Sequence, residues 1–85
     1  MIIYRYENED GGGPYYTLDG INRKSGIKLE DSSYIFGCTS IDKLETYFKN
    51  KNDIKGCTMT VRDIPNKYII CLGDDQVLFP KIFMN

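Results

Sequence analysis

Apolar and polar residues alternate near both ends of the chain and lose their period in between. Ile2, Tyr4 and Tyr6 fall on one side of an extended segment and Ile3, Arg5 and Glu7 on the other, which predicts a strand over residues 2–7. Cys57, Met59 and Val61 alternate in the same way with Thr58, Thr60 and Arg62, predicting a strand whose first set faces inward. Ser33 to Cys38 concentrates aromatic and β-branched residues and reads as another strand. Tyr68 to Leu72 is apolar without a break, the pattern of a central strand covered on both faces. Ile64-Pro65-Asn66-Lys67 turns the chain before it. Gly73-Asp74-Asp75 then supplies a tight reversal into Gln76–Phe79, an antiparallel hairpin whose ladder stops at Pro80. Ile82 and Phe83 are candidates to continue along a sheet edge.

One segment carries the helical period. Ile41, Leu44 and Phe48 share a stripe with Tyr47 beside it, and Thr39 or Ser40 can cap its start. This predicts a helix of about eleven residues, roughly 40–50, fraying in Lys49-Asn50-Lys51-Asn52, with Gly56 as the restart. Between residues 15 and 31 the apolar positions Leu18, Ile21, Ile27 and Leu29 are too sparse for a period. A loop or short helical turn is expected there, with a short strand near Ile27–Leu29. The acidic, glycine-rich Asn8-Glu9-Asp10-Gly11-Gly12-Gly13-Pro14 reads as a surface turn whose glycines permit close backbone approach. The predicted order is β–loop–β–α–β–β–β. It describes one α+β domain over residues 1–85, a mostly antiparallel sheet with one main helix packed on it.

Composition narrows the function classes. The chain has 85 residues, 41% apolar and 27% charged, an ordinary globular balance with room for one core. Net charge is −1 and acids and bases are interspersed, so no basic face predicts direct nucleic-acid binding. The densest basic stretch, Lys43 to Lys55, is interrupted by Glu45 and Asp53 and reads as a solvated helix end. Cys38, Cys57 and Cys71 are widely spaced, and no histidine is present. Three scattered thiols make neither a zinc set nor a paired framework, and the expectation is free, inward-facing cysteines, no metal and no cofactor. The chain begins on a strand pattern and has no apolar run near membrane-spanning length, so a cytoplasmic protein without a signal peptide is expected. Seven tyrosines and four phenylalanines, against no tryptophan, are a large aromatic share suited to a pocket or an interface.

Catalytic arrangements are scarce. Without histidine there is no Ser-His or Cys-His pair. Asp74 and Asp75, adjacent on a turn, cannot face each other across a sugar. Two segments nevertheless carry a resemblance. Phe36-Gly37-Cys38-Thr39-Ser40 before a helix resembles the strand-to-helix serine motif of small ADP-ribosyltransferases. Asp74-Asp75-Gln76-Val77-Leu78-Phe79-Pro80 resembles that fold's terminal strand, and Tyr4-Arg5 resembles its first-strand arginine. The resemblance implies that Arg5 would hold a dinucleotide phosphate or ribose and that Ser40 would order the site. Gln76 would stand where the family carries glutamate. A neutral amide keeps hydrogen bonding without supplying negative charge, so no catalytic residue is assigned.

The opening Tyr4-Arg5-Tyr6-Glu7, with Gly13-Pro14-Tyr15, Phe36-Gly37 and a short helix ending in Tyr47-Phe48, is similar to small proteins encoded by bacteriophages. That likeness implies a host-directed, stoichiometric role in the host cytoplasm. The expectation is a non-catalytic antagonist of a bacterial defence system. In one form it meets a protein effector, in the manner of an anti-CRISPR protein, through an acidic tyrosine-bearing surface of Glu7, Glu9, Asp10, Tyr15 and Tyr16. In the other it sequesters a nucleotide immune signal with Arg5 and aromatic residues. A minimal or degenerate ADP-ribosyltransferase-like enzyme and a plain interaction module are the alternatives, and homo-oligomerisation stays open.

Overall fold

The alternating N-terminal segment forms strand β1 (Ile2–Glu7) and the aromatic one forms β2 (Tyr34–Cys38) in the computed structural model, which describes residues 1–31 and 33–84. Helix α1 (Ile41–Tyr47), β3 (Thr58–Asp63), β4 (Ile70–Gly73) and β5 (Gln76–Pro80) follow. The strands make one antiparallel sheet in the order β3–β1–β2–β5–β4. The architecture is α+β and mostly sheet, as the pattern predicts.

Local chemistry sets the element ends. The Ser40 hydroxyl caps α1 by accepting from the Lys43 amide at 3.3 Å. The helix is shorter than expected because Asn50 draws the chain into turns. Its side chain accepts from the Asn52 amide at 3.0 Å, and its carbonyl accepts from Asp53 at 3.0 Å. Between β4 and β5 both Asp74 (φ 51°) and Asp75 (φ 62°) adopt left-handed geometry, the two-residue reversal whose twist matches a hairpin.

One sheet face carries the core. Ile3, Val77, Phe79 and Ile64 are fully buried together, with Ile35, Ile69, Phe83 and Met84 packed against them. The chain ends its ladder at Pro80 and folds Lys81–Met84 into a 3₁₀ turn over this cluster, anchored by the Lys81 amide on the Ser33 carbonyl at 2.7 Å. Phe83, with Met84, therefore packs on the core, and Ile82 points to solvent; neither Ile82 nor Phe83 extends a sheet edge.

Two expectations about the sheet are corrected. Tyr68–Leu72 is not a central strand: β4 lies at the edge with all four residues exposed, because β5 already has β2 on its other side. In β3 Thr58 is exposed and Met59 half-buried as expected, but the facing fails at Thr60, Val61 and Arg62, where Val61 is 59% exposed. Thr60 and Arg62 take the sheltered side, opposite Arg5 and Ile3, because they bond to Glu7 there. The cysteines are free, yet only Cys38 is buried; Cys57 is half-buried just before β3, and Cys71 is exposed on the edge strand.

Gly37 makes the core fit. A Cβ there would clash with Ile3 Cγ2, lie 3.3 Å from Phe79 Cε1 and touch Arg5 Cγ at 3.6 Å. Ile3 and Phe79 come from the strands on either side and have no free direction in which to move. Gly37→Ala is expected to cost about 1–3 kcal/mol by overpacking, a large part of the roughly 5–15 kcal/mol of a typical domain. Denaturant unfolding checks this, and an unchanged midpoint would contradict the packing.

Candidate ligand site beside the β1–β2 gap

Strands β1 and β2 pair at one position, Tyr4 opposite Cys38. No β1 residue is in register with Phe36, whose carbonyl instead accepts a hydrogen bond from Arg5 Nη1. The guanidinium thus takes a place between strands that a backbone amide would otherwise fill. Arg5 Nε donates to Glu7 Oε2 at 3.3 Å. Glu7 also accepts from Thr60 at 2.6 Å and is gripped by both terminal nitrogens of Arg62. Burial lowers the Arg5 pKa from its ordinary value, with Glu7 opposing that shift and Arg62 adding to it. For Glu7, burial pushes upward, but the bonds from Arg62 and Thr60 and the two positive charges outweigh it, and the carboxyl titrates below its usual range.

The remaining nitrogen, Arg5 Nη2, makes no hydrogen bond among the described residues. Among the described residues no side-chain polar atom is both sealed from solvent and without a partner, and Arg5 is one of the residues that line a cavity beside the gap. That cavity holds about 310 Å³ between the sheet, α1 and the segment following β1. Tyr6, Phe36, Tyr16, Tyr34, Tyr47 and Phe48 supply aromatic walls, with Leu18, Leu29 and Leu44 between them. Tyr6 meets Phe48 edge-on at 5.6 Å, and Tyr15 leans on the same ring at 5.3 Å.

The segment that closes the cavity is held by polar clamps. Arg23 donates to both Asp10 oxygens at 2.8 and 2.9 Å and to the Gly13 carbonyl at 2.9 Å. Asp10 also accepts from the Gly12 amide at 2.8 Å. A Cβ on Gly12 would fall 2.6 Å from the Tyr16 carbonyl oxygen, so the glycine run brings the backbone close to its own chain. The stretch expected as a loop with a short strand contains two isolated bridges, Tyr16 with Asn22 and Ile21 with Lys28. Tyr15 donates its hydroxyl to Asp53 at 3.0 Å, tying the segment to the turn after α1.

The candidate residues divide accordingly. Arg5, Tyr15, Tyr16 and Gln76 all line the cavity. Gln76 stands opposite Cys38 on β5, its Oε1 at 3.5 Å from the Tyr47 hydroxyl. Ser40 caps α1 and is not part of the lining. Glu7 and Asp10 are engaged by arginines, while Glu9 is exposed. The acids therefore do not form one free anionic surface. Sequence reasoning missed Phe36, Tyr34 and Leu29 as lining residues; the aromatic share was the signal that a pocket existed. Cys38 also lines the cavity, and burial, then Asp75 and Asp74, push its thiol up, which keeps it protonated and weakly nucleophilic.

A family model described as Bacteriophage T4 Y00F protein matches residues 1–82. The chain belongs to that family. Its phage origin is thereby shown, and the family description states no activity. No curated protein and no solved structure matches the chain, and neither comparison adds to the resemblance to ADP-ribosyltransferases. Among the described residues, no helix is long and apolar enough to cross a membrane.

Asp10 gives a pH test of this closing segment. The bonds from Arg23, then the Gly12 amide, hold its carboxyl at about 2, below the ordinary 3.8. A depressed folded-state value means that the clamp stabilises fully above the ordinary value and is lost as pH falls through about 2. The Gly12 amide resonance is expected to follow this low titration, and in Arg23→Met the midpoint should move up toward the ordinary value. A wild-type midpoint near the ordinary value would contradict the clamp.

Proposed function

We propose that this phage protein is a non-catalytic binding protein that captures a nucleobase-bearing small molecule in the cavity beside the β1–β2 gap. In the cytoplasm of the infected cell, this capture sequesters a nucleotide signal and so antagonises a bacterial defence system. The observation that carries the reading is the combination, in one lining, of aromatic walls with the Arg5 and Gln76 side chains. A base offers a flat π-face to the rings and edge oxygens or ring nitrogens to these polar groups. The volume sits at the lower end for small-molecule pockets, suited to a base or nucleoside with its charged part outside.

The chemistry of the lining supports binding over turnover. Among the described residues it includes no carboxylate and no imidazole to move a proton, and Gln76 cannot supply the charge that a transferase glutamate would. Capture of a protein effector by the acidic surface has less support, because Glu7 and Asp10 already bond to arginines within the chain.

Thermal unfolding with a panel of nucleosides, nucleotides, cyclic dinucleotides and NAD tests the proposal. A captured ligand should raise the midpoint, by the equivalent of about 2.7 kcal/mol at a hundred times its Kd. Phe36→Ala should weaken binding by about 1–3 kcal/mol, or about 5- to 150-fold, through lost stacking. Gln76→Glu should yield no NAD cleavage. Absence of a shift across the panel would contradict capture, and NAD cleavage by the unmodified protein would contradict the non-catalytic reading.

A further inference from the structure

The stretch that follows β1 is braced against itself. Among the described residues, every turn and bridge hydrogen bond made by the backbone of residues 8–29 ends within that stretch, Asn8 on Gly12, Arg23 on Tyr15 and Leu29 on Gly20 among them. The Arg23 guanidinium adds Asp10 and the Gly13 carbonyl to the same bracing. Two polar side-chain contacts lead out of it. Tyr15 donates its hydroxyl to Asp53 in the turns after α1, and Asp19 meets the Lys81 ammonium at the C-terminal 3₁₀ turn, 3.6 Å away. Both are wet, since the Asp19 side chain is 78% exposed and Tyr15 is 42% exposed. Gly12, Tyr16, Leu18 and Leu29 of the stretch line the cavity of about 310 Å³. Its inner side therefore faces a void where a packed loop would gain dispersion contacts.

We propose that residues 8–29 form a strap that swings as one body about its two ends, latched by Tyr15–Asp53 and Asp19–Lys81, and that this motion governs access to the cavity. Bonds kept inside the strap survive the swing, so its shape is retained while its position changes. Opening breaks exposed contacts whose partners return to water, and this keeps its cost low and the open state populated. The ends suit pivots. Glu7 is fixed by Thr60 and Arg62, which puts the near pivot just past it, and the far end runs into exposed Glu30 and Asp31. The Tyr15 ring, leaning on Phe48 at 5.3 Å, seats the closed strap, while its hydroxyl supplies the latch. The motion needs no ligand and is independent of nucleobase capture.

Backbone relaxation dispersion of the full chain without ligand reads the motion. Strap amides are expected to share one exchange rate and one open population. Tyr15→Phe keeps the ring and removes one latch, and should raise the open population about 2- to 10-fold. Lys81→Met removes the other and should raise it about 1.5- to 5-fold. Each variant should act along the whole strap, including the end it does not touch, and the amides of Arg23 and Leu29 should keep their protection from hydrogen exchange. In a Cys57→Ser, Cys71→Ser background, alkylation of the cavity-lining Cys38 by N-ethylmaleimide should speed up by the same factor as the open population. A strap without exchange, or variants whose effects stay at their own ends, would overturn the single-body motion. Lost protection at Arg23 and Leu29 would overturn it in favour of local unfolding. Constant Cys38 alkylation while the open population rises would overturn the control of access.

Discussion

The Arg5 guanidinium, lodged where β1 parts from β2, is the interaction on which the remaining architecture turns. A buried cation is unfavourable unless paired and hydrogen-bonded, and here both conditions are met across three strands. Phe36 contributes a carbonyl from β2, Glu7 a carboxylate from β1 itself, and Arg62 and Thr60 hold that carboxylate from β3. The network replaces backbone pairing that the sheet forgoes at its centre. It also explains why β3 turns Thr60 and Arg62 toward the sheltered face and leaves Val61 in water.

The gap has a consequence for the cavity. A continuous β1–β2 ladder would leave no place for Arg5 at the Phe36 carbonyl, beside the cavity that both residues line. With the ladder interrupted, the segment after β1 is free to fold back, and its Asp10–Arg23 and Gly12–Tyr16 approaches hold it over the aromatic rings. The same split separates two jobs in the sheet. One face seals around Ile3, Val77 and Phe79, with Gly37 small enough to let them meet, while the other keeps Phe36 and Gln76 available beside α1.

Local signals made much of this legible. The period-two run at residues 2–7, the double-aspartate reversal and the helix capped by Ser40 that buries Leu44 each act within a few residues, so the sequence carries them directly. Long-range partners were not legible. An apolar run such as Tyr68–Leu72 does not say whether one neighbouring strand or two will cover it, and β4 is an edge. The burial of Arg5 depends on Arg62, 57 positions away, through Glu7. The closing segment shows no period because its shape comes from isolated bridges, Asx contacts and glycine approaches rather than from a repeating face. Thus Arg5 and Gln76 could be singled out from the sequence, but not the gap that gives Arg5 its role.

A double-mutant cycle between Arg5 and Glu7, followed by denaturant unfolding, addresses the network most directly. Glu7→Gln leaves two arginines close together without their shared anion and should cost about 3–5 kcal/mol. Arg5→Met removes the group filling the gap and should also be strongly destabilising. If the two charges form one unit, the double variant should lose about 0.5–3 kcal/mol less than the sum of the single losses. Strict additivity, or single losses no larger than those of an exposed ion pair, would contradict the central place given to Arg5.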